Sequence, residues 1–245
     1  MNARTKIFLL AAVLATAVVG IFANGQLVSG VEEDSQTIKE FIEPITEDCD
    51  FSSTGSNEFF ILEPGYRLVL TGEGDQGEDI RLTITVKDKT KIVDGVETRV
   101  VVEKQVENGE LVEISRNFFA ICEQTNDLLY YGEQVDNYVD GKIVNHDGSW
   151  LAGVDNAREG IIMPGSPFVG LKYKQEVAPG VAMDRAKIVS MDKTVDSPAG
   201  TFVDVLKTRE TTPLEPGFVE FKYHAAGIGL IQDGELKLEK YGFIQ

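Results

Sequence analysis

Apolar and polar residues alternate with a period of two along much of the chain after Phe59, and this pattern restricts the fold more than any other feature. The apolar positions of three such runs are Ile80, Leu82, Ile84 and Val86; Val219, Phe221 and Tyr223; and Leu236 and Leu238. Because alternate side chains share one face of a strand, each run predicts a strand with one buried face. In the second run, Glu220, Lys222 and His224 are predicted to form the polar, solvent-facing side.

Pairs of turn-forming residues separate these runs. The pairs are Asp94-Gly95, Asn108-Gly109, Asp140-Gly141, Asp147-Gly148 and Asp233-Gly234. Asn-Gly and Asp-Gly tolerate the positive φ angles of type I′ hairpin turns, and tight turns make neighbouring strands antiparallel. The sequence therefore predicts a mainly all-β fold. Roughly ten to twelve short strands should form an antiparallel meander, curled into a half-barrel, a barrel or a sandwich.

The first 23 residues read as an export signal, with Arg4 and Lys6 before an uncharged, mostly apolar run. This arrangement is typical of a secretory signal peptide, with cleavage expected after Ala23. The same run is long enough to remain as a membrane-anchor helix, which is the alternative. In either case the rest of the chain is expected outside the cytoplasm, in the periplasm, at the cell surface or in the medium.

The remainder divides into two parts. Residues 24–58 are acidic and weakly patterned, which is typical of a linker, with one candidate helix over 35–45 that ends near Pro44. Residues 59–245 are predicted to form a single antiparallel β domain.

The chain is strongly acidic, with a formal net charge of −17. Cleavage after Ala23 would remove Arg4 and Lys6 but no acid, so the mature charge would be −19. Such a chain should repel nucleic acid and anionic lipid surfaces. We therefore expect no nucleic-acid partner, and membrane contact only through the N-terminal segment. The excess acid serves either solubility or the attraction of cations and basic partners.

The two cysteines, Cys49 and Cys122, form an even pair in a chain predicted to be exported. Oxidising compartments favour a disulfide between such cysteines, and this is the prediction. A metal site with thiolate ligands is the alternative.

One long stretch, residues 149–167, lacks alternation. It carries the only tryptophan, Trp150, together with Ile161, Ile162 and Met163. Long loops often carry function. These four residues are predicted either to line the rim of a ligand site or to plug one open end of the sheet.

Catalytic and cofactor signatures are nearly absent from the sequence. The glycine pattern of residues 72–77 precedes a predicted strand instead of a helix, so it does not indicate a dinucleotide site. His146 lies in a predicted turn, and neither it nor His224 belongs to a recognised catalytic motif. A copper site made from the cysteines, histidines and methionines lacks ligand-like spacing. We therefore predict no catalytic residue, no metal and no cofactor.

Two segments resemble a family of uncharacterised exported bacterial and archaeal β-rich envelope proteins. They are Ser197-Pro-Ala-Gly-Thr-Phe202 and Phe221-Lys-Tyr-His-Ala-Ala-Gly-Ile-Gly-Leu230, although Ala226 replaces a usual proline. Further matches are Leu62-Glu-Pro-Gly65, Gly148-Ser-Trp150 and Gly160-Ile-Ile-Met-Pro164. The likeness covers residues 59–232. It implies a curved antiparallel half-barrel similar to periplasmic lipoprotein carriers, which shield acyl chains. It carries over no catalytic residues.

Three functional hypotheses follow. The first is a non-enzymatic envelope protein that binds a lipid or another apolar or amphiphilic molecule in the concavity of a curved sheet. The second is an extracellular hydrolase that uses carboxylates, which a convergent pair of acids in a cleft would support. The third is a structural or interaction module of the cell surface, whose partners are other envelope proteins.

Overall fold

A computed structural model describes residues 40–74 and 76–244, and every regular element in these ranges is a β-strand. The longer strands are β4 (Tyr66–Glu73), β5 (Asp79–Val93), β6 (Val96–Glu107), β7 (Glu110–Cys122), β8 (Leu128–Val139), β13 (Arg185–Ser197), β14 (Gly200–Thr211), β15 (Glu220–Ala225), β16 (Gly229–Asp233) and β17 (Leu236–Phe243). The shorter ones are β1 (Phe51–Ser52), β2 (Ser56–Asn57), β3 (Phe60–Ile61), β9 (Lys142–Asn145), β10 (Trp150–Leu151), β11 (Gly160–Met163) and β12 (Lys172–Lys174).

Nearly all strands belong to one large antiparallel sheet that does not close. Its main path runs β10-β8-β7-β6-β5-β4-β17-β16-β15-β14-β13-β12. Two meanders, β4 to β8 and β12 to β17, therefore join where β4 pairs with β17. The all-β antiparallel meander is confirmed, but the strands are not uniformly short, because β5 has 15 residues and β7 and β13 have 13 each.

The sheet is curled so that distant strands face each other. Side chains of β6 and β15 line the same cavity, although β5, β4, β17 and β16 lie between them in the sheet. A flat sheet would hold strands this far apart, since neighbouring strands are about 4.8 Å apart. The concave face thus encloses a space between the two meanders.

The alternation in β5 is confirmed. Ile80, Leu82, Ile84 and Val86 are all buried and point to the concave face. The alternation in β15 is inverted relative to the prediction. Lys222 and His224 line the concavity, whereas Phe221 lies on the outer face under the ammonium group of Lys207, 3.8 Å from its ring centroid. The prediction that His224 lies on a solvent-facing side is therefore wrong.

The turns follow the predicted chemistry at three positions. Asp94-Gly95, Asn108-Gly109 and Asp140-Gly141 all have positive φ at both residues, as type I′ turns require. The turn between β16 and β17 falls one residue later than predicted, because Asp233 pairs with Leu236 and leaves Gly234 as the first turn residue.

The segment before Phe59 is attached to the sheet. The predicted Cys49–Cys122 disulfide is present, with the two Cα atoms 5.2 Å apart, and β1 pairs with the end of β7. Residues 40–45, the described part of the predicted 35–45 helix, are not helical. Ile42 instead forms a parallel bridge with Tyr173, and backbone hydrogen bonds to Lys172 and Lys174 satisfy its amide and carbonyl groups.

The stretch 149–167 is not a simple loop. It contains β10 and β11, which both pair with β8. Residues 1–23, which carry the predicted export signal, lie outside the described residues. Within the residues that are described, no helix has the length and apolar character needed to cross a membrane.

Candidate functional site

The concave face of the sheet contains a cavity of about 570 Å³. This volume is within the range of small-molecule sites in proteins, which is roughly 300–1,000 Å³. Strands of both meanders contribute to its wall, so it exists only when the whole sheet has formed.

One part of the cavity wall is apolar. It is built mainly from the inward-facing positions of β4 and β5, where β-branched and leucine side chains alternate with outward polar residues. Phe60 and Phe119 extend it, with their rings 5.4 Å apart. The apolar and aromatic lining residues are Phe60, Ile61, Tyr66, Leu68, Ile80, Leu82, Ile84, Val86, Val112, Phe119, Tyr130, Val135, Tyr138, Val139, Val144, Ile162, Met163, Ile228, Leu230 and Leu236.

The other part of the wall is acidic. Ten carboxyl side chains line the cavity, against one lysine and no arginine among the described residues. The acids are Glu103, Glu107, Glu113, Glu133, Asp147, Glu176, Asp184, Glu210, Glu220 and Asp233. A single cavity wall therefore joins a large apolar surface to a strongly negative one.

Lys222 lies at the centre of the acidic part. Its ammonium nitrogen is 3.5 Å from a carboxylate oxygen of Asp233, 3.6 Å from one of Glu210 and 4.0 Å from one of Glu220. Glu103 on β6 interacts electrostatically with the same lysine from the opposite side of the concavity. We call Lys222, Glu103, Glu210, Glu220 and Asp233 the Lys222 cluster.

Strand register explains how the cluster forms. Glu220 and Lys222 are two residues apart on β15 and so share one face. Glu210 is directly opposite Glu220 on β14, and Asp233 is directly opposite Lys222 on β16. Like charges in directly opposed positions destabilise a sheet, so the Glu210–Glu220 pair depends on the lysine beside it.

Burial and crowding of like charges shift the pKa values of these carboxyl groups. Burial raises the pKa of Glu103 to about 7. Burial, together with the nearby Asp233 charge and a hydrogen bond to Asp233, raises the pKa of Glu220 to about 8. Burial also raises the pKa of Glu210. The cavity thus holds carboxyl groups that change protonation near neutral pH.

The two basic side chains of the site are shifted in opposite directions. Burial alone would lower the pKa of Lys222, but the charges of Asp233, Glu210 and Glu220 raise it well above its usual value. Burial and the adjacent Lys222 lower the pKa of His224 to about 3. The lysine is therefore charged and the imidazole neutral at physiological pH.

Some polar atoms of the site have no hydrogen-bond partner. Gln175 is 5 % exposed and lines the cavity, and its amide nitrogen donates a hydrogen bond to Glu210 (3.1 Å). That bond fixes the amide orientation and leaves the carbonyl oxygen of Gln175 unpartnered. The Nδ1 atom of His224 is also unpartnered. Buried polar atoms without partners are rare in folded proteins.

The four residues predicted in the 149–167 stretch are divided between two places. Ile162 and Met163 line the cavity, whereas Trp150 and Ile161 do not. Trp150 is buried in β10 and packs edge-on against Tyr130, with ring centroids 5.3 Å apart. It borders a smaller pocket of about 260 Å³ between β8, β10 and residues 178–181.

The structure bears on several alternatives that the sequence leaves open. Both cysteines are in the disulfide, so the thiolate metal site is excluded. The described residues contain no group of three or more His, Cys, Asp or Glu side chains placed to hold a metal ion. His146 is exposed and contacts Asp136, at 2.9 Å, outside the acidic cluster. Glycines 72 and 74 lie where β4 leads to β5, and no helix follows them.

The sequence does not single out the Lys222 cluster, because acids are abundant throughout the chain. The one available signal was β15 itself. Its polar residues Glu220, Lys222 and His224 share a face, which the alternation predicts to be exposed to solvent because Phe221 and Tyr223 occupy the other.

No family model matches the chain, and no curated protein matches it. Among solved structures, the chain is similar to a protein from Parabacteroides distasonis ATCC 8503 described as a "putative lipoprotein". That similarity has 12 % sequence identity and a TM-score of 0.37, and it covers 77 % of this chain and 100 % of the other. These findings leave the family resemblance of residues 59–232 as a prediction.

Proposed function

We propose that this chain is an exported, non-enzymatic protein of the cell envelope that binds an apolar or amphiphilic small molecule in the cavity of its curled sheet. The cavity is the observation that carries the proposal. A cavity of about 570 Å³ with a large apolar wall is uncommon in well-packed domains, whose interiors are filled nearly as densely as organic crystals.

The apolar wall provides the driving force for binding. Burying apolar surface stabilises a complex by roughly 25 cal/mol per Å², so an alkyl chain against β4 and β5 would be held firmly. Ile162 and Met163 from the 149–167 stretch add to this wall. Their position agrees with the binding-rim alternative, whereas Trp150 and Ile161 are buried outside the cavity lining.

Two features support the export part of the proposal. The first 23 residues have the order of charge and apolar character of a secretory signal. The Cys49–Cys122 disulfide is typical of proteins in oxidising compartments.

N-terminal sequencing of protein recovered from the cell envelope tests the export part of the proposal, with Asn24 expected as the first residue. An intact N-terminus on membrane-bound protein would indicate the anchor instead.

A displacement assay tests ligand binding. A fluorescent fatty-acyl probe is expected to bind saturably and to be displaced by unlabelled alkyl compounds. Ile84→Trp places a large side chain in the cavity and should abolish binding, because Ile84 lines the apolar wall.

Ile92→Trp is the matched control on the same strand. Ile92 is 71 % exposed, so this variant should bind the probe like the unmodified protein. Thermal unfolding checks that both variants fold. Absence of saturable binding to the unmodified protein, or equal binding by the two variants, would contradict the proposal.

A carboxylate hydrolase is the second candidate function, and one observation favours it. Glu103 and Glu220 share the cavity and have pKa values raised to about 7 and 8. A carboxyl group that stays protonated near neutral pH can act as a general acid, and glycoside hydrolysis pairs such an acid with an ionised carboxylate.

Activity measurements test the hydrolase. The protein would be assayed against nitrophenyl glycosides and esters, together with Glu103→Gln and Glu220→Gln. Turnover that falls by about a hundredfold or more in one of these variants would establish catalysis, since general acids contribute roughly that much. Turnover that is absent, or unchanged in both variants, would remove this candidate.

A further inference from the structure

The charge of the cavity is far from balanced. Ten carboxyl groups line it and Lys222 is the only lysine among the described lining residues. Even within the Lys222 cluster, four carboxyl groups surround one ammonium group. An anionic ligand group placed here would be repelled, whereas a cationic one would be attracted by the excess of carboxyl groups over ammonium groups.

A separate observation indicates that the ligand carries a hydrogen-bond donor. The carbonyl oxygen of Gln175 has no donor, although the side chain is buried and lines the cavity. Its own amide nitrogen is occupied by Glu210, which accepts a second hydrogen bond from Thr208 (3.1 Å). An oxygen can only accept from an N–H or O–H group, and leaving it bare in the interior costs about 1–3 kcal/mol.

These two requirements meet in one chemical group. A primary ammonium group carries positive charge and has three N–H donors, so it satisfies both an acidic wall and a buried acceptor. We propose that the ligand is a cationic amphiphile with an amine head. Its ammonium group lies between Gln175 and the carboxyl groups of the Lys222 cluster, and its hydrocarbon part lies against the β4–β5 wall. This inference rests on the proposed binding function and specifies the ligand class.

Lys222 does not itself take the place of the proposed ligand ammonium group. Its ammonium group is 3.5 to 4.0 Å from its nearest carboxylates, which is longer than a direct hydrogen bond. Burial raises the pKa of Glu103 on the opposite wall, and the charges of Asp233 and Glu113 add to this, while Lys222 acts against it. A second cation in the cavity would therefore improve the electrostatics of the cluster.

Isothermal titration calorimetry of the purified full-length protein tests the proposal with three ligands of equal chain length. Decylammonium, decanol and decyl sulfate would be compared at pH 7, below their micelle concentrations. Decylammonium is expected to bind about tenfold or more tightly than decanol, a difference of about 1.4 kcal/mol, and decyl sulfate most weakly.

Two variants locate the ammonium group. Gln175→Met removes the unpartnered acceptor at similar volume, and Glu103→Gln removes one ionisable carboxyl group from the wall. Each is expected to weaken decylammonium binding by about fivefold to tenfold and to leave decanol binding within about twofold. Gln134→Met and Glu123→Gln are the matched controls, since both side chains are exposed and outside the cavity lining.

The outcomes separate this inference from the proposed function. If decanol or decyl sulfate binds as tightly as decylammonium, the cationic ligand class is wrong and the apolar binding site stands. If decylammonium binding is unchanged in both Gln175→Met and Glu103→Gln, the location of the head group is wrong. If none of the three compounds binds, the proposed function and the inference both fail.

Discussion

Lys222 is the residue on which the charge balance of the molecule's interior depends. It is the only lysine or arginine in the described cavity lining and has three carboxylates within 4.0 Å. Removing one partner of a buried ion pair leaves the other charge uncompensated, which destabilises proteins more than the pair itself stabilises them. The consequences of changing this residue should therefore be large and dependent on pH.

Lys222→Met is expected to lower the free energy of unfolding by about 2 kcal/mol at pH 8, because Glu210 and Glu220 lose their counter-charge. The effect should be smaller at pH 5, where the raised pKa values let these carboxyl groups protonate. Urea unfolding at the two pH values measures it. Lys104→Met, at an exposed position of β6, is the control. A loss that is equal at both pH values would contradict this account.

The raised carboxyl pKa values also predict how the unmodified protein responds to pH. Glu103 and Glu220 have folded-state pKa values of about 7 and 8, above the unfolded value of 4.5. The folded state therefore binds more protons, and stability is lost as pH rises through 7 and 8. His224, with its pKa lowered to about 3, acts in the opposite direction, and mainly below pH 6.5. Between pH 6.5 and 8 we expect the free energy of unfolding to fall by roughly 2 kcal/mol.

The double variant Glu103→Gln/Glu220→Gln should make the free energy of unfolding nearly constant over the same pH interval. Chemical denaturation at half-unit pH steps would show this. A stability that rises from pH 6.5 to 8 in the unmodified protein, or a slope that survives in the double variant, would show that these two groups do not control the response.

At the scale of strands, the sequence predicts which residues form a strand better than which face of that strand points into the sheet's concavity. In β5 the apolar set faces inward, as its alternation predicts, and the charged residues of the polar set, Arg81 and Lys87, are exposed. In β15 the apolar set faces outward, because Lys207 covers Phe221 and Tyr223 while the concavity takes Glu220, Lys222 and His224. A period of two defines two faces and does not say which one is buried when the interior contains a polar cavity.

Close packing between β8 and β10 gives a prediction for one glycine. Gly132 has a φ of +118°, and a Cβ atom there would lie 2.3 Å from the carbonyl oxygen of Trp150. Gly132→Ala should therefore separate β10 from β8 and lower stability by roughly 3 kcal/mol or more. Gly170→Ala is the matched control, since Gly170 has a φ of +100° but open space around it. It should lose only about 1 kcal/mol.

Denaturant midpoints of the two glycine variants measure the difference. The comparison separates the steric contact from the backbone conformation, because both positions have positive φ. Equal losses in the two variants would mean that the approach of β10 to β8 is less close than the structure has it.

For the whole molecule, the disulfide is the main covalent constraint. Cys49 and Cys122 are 73 residues apart, and closing a loop of this length restricts the unfolded chain by about 4 kcal/mol in the chain-entropy model. The double variant Cys49→Ala/Cys122→Ala should unfold at a lower denaturant concentration by a corresponding amount. Reduction of the unmodified protein should give the same shift, and no shift in either measurement would contradict the prediction.

The fold class, the turns and the disulfide could be predicted from the sequence because each depends on residues close together or on the pairing of only two cysteines. The cavity could not. Glu103 and Lys222 meet only because the sheet curls over the four strands between β6 and β15, and no local pattern specifies the degree of curl. The predicted helix over 35–45 fails in its described part because Ile42 finds a strand partner in Tyr173, a tertiary contact that outweighs local preference.

The pairing of β4 with β17 means that the sheet cannot finish folding until the last strand of the chain is available. These are the first and last long strands of the sheet, and Leu68 pairs with Tyr241 across nearly the whole domain. Contacts of such long sequence separation make folding slow. During synthesis from the N-terminus, the meander from β4 to β8 emerges first, with the free edge of β4 exposed to any other strand in its surroundings. That edge stays open to intermolecular pairing until the last strand arrives, so the protein has its greatest risk of aggregation just before it is complete.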